Sequence, residues 1–252
     1  MSISTSRTYK KKSTSPQRLS DVQQQFLTRI VVLLGIQFIV LFLTVVLVNW
    51  ISPNKICLFT CRQWVDFLLF LLLVFILFFL INNTRISFPL RLLSFLSLGI
   101  LLGLIIAIEY NLLMMKASSE TEKKKVRNTF GLAILFTLLV FIVALFVVPY
   151  LLPYHTLFEN LTLVLFFALC GLIIWGLWGF SGLSKFQQQK QFTVYLYISL
   201  TIFILLLFTE ITTITYQCKM PGSYQCDSLV GSTLLYTNLI NILQKIFLLQ
   251  NY

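Results

Sequence analysis

The chain has 252 residues, of which 58% are hydrophobic and 11% charged, with 24 phenylalanines and a formal net charge of +11. A soluble domain carries about 25% charged residues, so this composition excludes a soluble globular protein and predicts an integral membrane one. The basic residues are scattered over a tail and several loops. That points to anionic lipid headgroups at a bilayer surface and away from nucleic acid.

Residues 1–25 are rich in Ser, Thr, Gln and Lys, with Lys10, Lys11 and Lys12 in a row. Too polar to bury a core, this stretch is expected to be a disordered basic tail. Residues 26–252 are expected to form one all-α polytopic bundle of about seven transmembrane helices. In order, the spans read about Leu27–Ile51, Trp64–Ile81, Pro89–Met115, Asn128–Leu152, Phe158–Phe180, Gln191–Tyr216 and Leu229–Leu249. Ser52-Pro53-Asn54 is a turn signal after the first span, and Pro149 and Pro153 are expected to stop the fourth. The third holds Gly99 and Gly103, a small-xxx-small pair expected to seat another helix of the same chain rather than a dimer partner. Glu109, near its end, is expected at the membrane interface, and Lys116–Arg127 as a solvated loop.

Five cysteines are present. Cys170 lies in a span and is expected to pack as a small apolar side chain. Cys57 and Cys61 share one loop, and Cys218 and Cys226 another; either pair can form a disulfide where its loop faces an oxidising lumen. Lys and Arg fall in nearly equal numbers on the two sides, so the positive-inside rule does not choose an orientation. A cytosolic tail is the expectation taken, which leaves Cys218 and Cys226 reduced and makes Cys57–Cys61 the candidate pair.

The last two spans carry polar groups where hydrocarbon belongs. Glu210 sits inside the sixth, and Asn238, Asn241 and Lys245 inside the seventh. At i, i+3 and i+7 those three share one helix face. An ionisable group within a span faces a partner or a water-filled cavity, and in a hairpin Glu210 and Asn238 come to similar depth. Glu210 is expected to hydrogen-bond Asn238 or to pair with Lys245. These four residues form the candidate intramembrane site. The chain has one histidine, His155, and lacks the P-loop, dinucleotide, Gly-x-Ser-x-Gly and His-Glu-x-x-His motifs. No enzyme activity, metal or cofactor is expected.

The segment Leu235-Tyr236-Thr237-Asn238-Leu239-Ile240-Asn241-Ile242-Leu243 resembles the closing span of the Bax-inhibitor/Lifeguard family, Leu-Tyr-x-Asp-Ile-Ile-Asn-Leu-Phe. Thr209-Glu210-Ile211-Thr212 is similar to that family's preceding Asp-Thr-Gln-type segment. Arg18–Gln37 and Pro89-Leu-Arg-Leu-Leu93 extend the likeness to the first and third spans. The resemblance implies a multi-pass protein of endoplasmic reticulum, Golgi or host membranes that modulates cell death and calcium. Its partners would be the lipid bilayer, calcium ions and other membrane proteins. In the family two aspartates form a proton-sensitive pair tied to cation leak; here the positions hold Glu210 and Asn238, so the pair is incomplete. Divergent virus-encoded homologues of this kind imply modulation of host cell death, calcium or surface immune ligands. The alternative is a channel-inactive scaffold that binds and redirects other membrane proteins.

Overall fold

The computed structural model describes residues 19–51, 63–178, 185–218 and 226–251. Residues 1–18, the Ser52-Pro53-Asn54 turn signal, Cys57 and Cys61 lie outside the described residues. Among those described there are seven long α-helices and no strand. They are α1 (Asp21–Ile51), α2 (Gln63–Asn82), α3 (Phe88–Lys116), α4 (Glu120–Leu151), α5 (His155–Trp178), α6 (Lys185–Gln217) and α7 (Ser228–Asn251). A 3-10 turn, Leu152–Tyr154, joins α4 to α5.

Four described stretches are long and apolar enough to cross a bilayer: Asp21–Trp50, Phe88–Lys116, Glu120–Trp175 and Gln187–Gln217. The third contains α4, the 3-10 turn and α5. The protein is therefore all-helical with membrane-spanning character. Helix α7 is not among the four, since Asn238, Asn241, Gln244 and Lys245 dilute its apolar residues.

Helices α1, α4 and α6 start well before the expected spans do, at Asp21, Glu120 and Lys185, and for the first two the reason is an N-terminal cap. Ser20 and Gln23 form a reciprocal cap, Gln23 N–H donating to Ser20 Oγ at 3.3 Å and Ser20 N–H to Gln23 Oε1 at 3.0 Å. Residues 21–25, expected in the disordered tail, thus belong to α1. Ser119 and Glu122 make the same capping box at α4. The helix therefore begins inside the expected Lys116–Arg127 loop. Each cap satisfies amide donors that a helix start otherwise leaves open. Pro149, expected to stop the fourth span, lies inside α4, which ends at Leu151. So close to a C-terminus a proline removes few helix bonds.

The helices alternate between two ends. At one end Gln23 Nε2 of α1 donates to the Thr215 carbonyl of α6 at 2.8 Å. There too His155, starting α5, stacks on Tyr216, closing α6. Arg91 of α3 donates from Nε to the Ile81 carbonyl of α2 at 2.7 Å and ion-pairs with Asp227, just before α7. At the other end Asn251 of α7 donates to Thr129 Oγ1 of α4 at 3.1 Å, and Phe247 packs with Tyr110 and Phe130.

Helix α7 packs against α1, α3, α4 and α6, and none of its residues is exposed. Gly99 and Gly103 face α1, as expected of an intramolecular contact. A Cβ on Gly103 would lie 3.3 Å from the Leu41 Cα, and one on Gly99 1.8 Å from Gln37 Oε1. Gln37 is fully buried there and donates to the Phe95 carbonyl of α3.

Cys218 and Cys226 are disulfide-bonded, their Cα atoms 4.8 Å apart. This corrects the expectation that the pair is reduced under a cytosolic tail. The bond closes the α6–α7 hairpin at the end where α1 begins. Cys170 is a free, partly buried thiol in α5.

Candidate functional site

Antiparallel packing of α6 on α7 brings the four sequence-selected residues to one cleft. It has a volume of about 420 Å³, and Glu210, Asn238, Asn241 and Lys245 all line it. Its apolar wall comes largely from α5, through Phe166, Leu169, Leu172 and Ile173. Glu210 lies eight residues before Cys218 and Asn238 twelve after Cys226, about 12 and 18 Å along their helices at 1.5 Å per residue. Both therefore sit at mid-bundle depth.

The central contact is Asn238 Nδ2 donating to Glu210 Oε2 at 2.6 Å. Asn238 is 6% exposed, so this amide–carboxylate bond is screened from bulk solvent. An interhelical bond of this kind contributes about 0.6 to 2 kcal/mol within a membrane. The Asn241 amide instead donates to its own helix, to the Thr237 carbonyl at 2.9 Å. The hydroxyls of Ser199 and Thr237, which also line the cleft, donate to helix carbonyls as well. What these hydroxyls retain for the cleft is oxygen lone pairs. The polar lining thus holds one carboxylate and neutral side-chain oxygens at one end and the Lys245 ammonium at the other.

Lys245 occupies the other end of the cleft, about 10 Å along α7 from Asn238. Its Nζ lies 5.7 Å from the centre of the Tyr195 ring. Ion pairs among the described residues include Arg91–Asp227 and Lys123–Glu120, and neither involves Lys245. Of the two partners expected for Glu210, the structure therefore joins it to the amide and leaves the ammonium apart. Glu109, expected at the interface, is half-buried and accepts a hydrogen bond from Gln244 of α7.

Sequence reasoning missed three polar contacts: Gln244–Glu109, Arg91–Asp227 and Gln23–Thr215. Gln244 adjoins Lys245, and Asp227 stands directly before an apolar run, in cap position. Its Oδ1 accepts from Leu229 N–H at 3.0 Å and Val230 N–H at 3.3 Å. That cap signal was legible; the partner 136 residues away was not. Among the described residues no group of three or more His, Cys, Asp or Glu could hold a metal ion. No family model matches the chain, and neither a curated protein nor a solved structure does.

Proposed function

We propose that the chain is a Lifeguard-like, seven-span protein of an intracellular membrane that modulates cell death and calcium, with a cation site weakened by Asn238. The observation that carries this reading is the 2.6 Å bond from Asn238 to Glu210. It places an amide donor where a proton-sharing acid pair would need a second carboxylate. The central position of α7 and the alternation of helix ends support seven spans. A helix wrapped by others needs less apolar surface than one facing lipid.

The test is calcium efflux from liposomes reconstituted with the full chain, at several pH values between about 6 and 8, where carboxyl groups with raised pKa titrate. The native protein should leak little and show little acid dependence. Asn238→Asp should create a pH-dependent leak, because two carboxylates in contact share one proton. Glu210→Gln, added to it, should remove that leak. A native leak as strong as that of Asn238→Asp would sink the weakened-site reading. The same hydrogen bond favours the second reading, a channel-inactive scaffold for other membrane proteins. That reading gains if neither substitution changes efflux while both lower stability.

A further inference from the structure

A second cavity of about 590 Å³ lies away from the Glu210 cleft, between the ends of α1 and α3 and the start of α4. Its polar lining is Asn49, Tyr110, Asn111, Lys123 and Arg127, with no carboxylate among the lining residues. Asn111 is 7% exposed, and its Nδ2 has no hydrogen-bond partner. A buried N–H left unpaired is costly, so an amide donor held at a cavity wall points to an acceptor brought by a ligand. Arg127 stands exposed at the mouth and supplies a forked cationic donor set suited to phosphate. Lys123 adds a second charge, partly engaged by Glu120 at 2.9 Å.

The cavity's level in the bundle identifies the source of the anion. Leu112 and Met115 of α3 and Trp50 of α1 are exposed beside it, and each belongs to a stretch apolar enough to span a bilayer. One residue beyond Met115 comes Lys116, and the exposed Lys124, Lys125 and Arg127 follow on α4. The cavity thus sits where hydrocarbon gives way to headgroups. We infer that it binds the phosphate of an anionic phospholipid headgroup, with Arg127 and the Asn111 amide as donors and the acyl chains lying against α3.

The test uses the full-length chain in phosphatidylcholine nanodiscs, titrated with fluorescent phosphatidic acid and, separately, with inorganic phosphate. Phosphatidic acid should bind saturably. Arg127→Gln should weaken it about tenfold, the loss expected for a charge-assisted phosphate contact. Lys124→Gln removes another exposed charge, one outside the cavity, and should change binding by less than about twofold. Asn111→Leu removes the buried donor while keeping the side chain's approximate volume. It should weaken binding without altering the protein's elution profile. Equal losses from Arg127→Gln and Lys124→Gln would mean diffuse surface attraction and overturn the site. Displacement of the lipid by millimolar inorganic phosphate would overturn the lipid assignment, leaving a site for a free anion. No saturable binding would overturn both.

Discussion

Helices α1 and α7 use apolar residues in opposite ways. Helix α1 is among the most apolar stretches, yet it turns Val32, Ile39, Phe42 and Leu43 outward, each more than half exposed. Helix α7 carries two asparagines, a glutamine and a lysine across its middle, and all its residues are buried or partly buried. In water the hydrophobic effect would send the first inward and the second to the surface. In lipid that driving force between helices is absent. Polar groups are then better placed among other helices, where they find partners, than against acyl chains. Among the described helices high hydropathy therefore goes with exposed faces, and the centre of the bundle is built from less apolar sequence.

The strongest test of that contrast is the ion pair anchoring the start of α7. Arg91 and Asp227 side chains are only 9% and 19% exposed. Arg91→Ala leaves Asp227 without its partner and should destabilise the protein by about 3 kcal/mol, the lower end for a buried pair. Thermal unfolding in detergent would measure it; a loss below about 1 kcal/mol would mean α7 does not depend on this anchor.

Next come paired truncations. Leu239→Ala on α7, at 0% exposure, should cost about 2 to 4 kcal/mol through the cavity it leaves. Leu43→Ala on α1, at 58% exposure, should cost under about 0.5 kcal/mol. Equal costs would end the distinction between a lipid-facing helix and a protein-facing one.

The disulfide yields a slightly smaller effect. Cys218→Ser should cost about 2 kcal/mol, as expected for releasing a loop of this length. Mass mapping from cells should find Cys218 and Cys226 oxidised, which places the α6–α7 connection and the start of α1 on the oxidising side. Reduced thiols at both positions would restore a cytosolic start for α1. Smallest is a glycine pair. Gly35 has nothing within 4 Å of an added Cβ, so Gly35→Ala should be neutral or stabilising by up to about 1 kcal/mol. Gly103→Ala, pressed against the α1 backbone, should cost about 1 kcal/mol.

The number of long helices among the described residues and their approximate bounds were legible because long apolar runs recur along the chain between polar breaks. The Asn238–Glu210 contact was legible because a short hairpin fixes depth and i, i+3, i+7 spacing fixes a face. Helix starts were missed where Ser-x-x-Gln and Ser-x-x-Glu caps lie outside the apolar runs, at Ser20 and Ser119. The surroundings of Lys245 were not legible. Spacing along one helix says nothing of which group on a neighbouring helix its long side chain reaches, and here that group is the Tyr195 ring.

The contact between Gly99 and Gln37 ties the fates of two positions on different helices. The Gln37 amide occupies the space a Cβ at 99 would need, while its Nε2 holds the Phe95 carbonyl. An alanine at 99 therefore requires the Gln37 amide to swing off the Phe95 carbonyl or position 37 to shorten, and a shorter residue at 37 leaves that carbonyl open and a void beside the glycine. Change at these sites is expected in pairs: sequences descended from a common ancestor should keep Gly99 with Gln37 or replace both. In the laboratory, Gln37→Ala should recover part of the stability that Gly99→Ala removes.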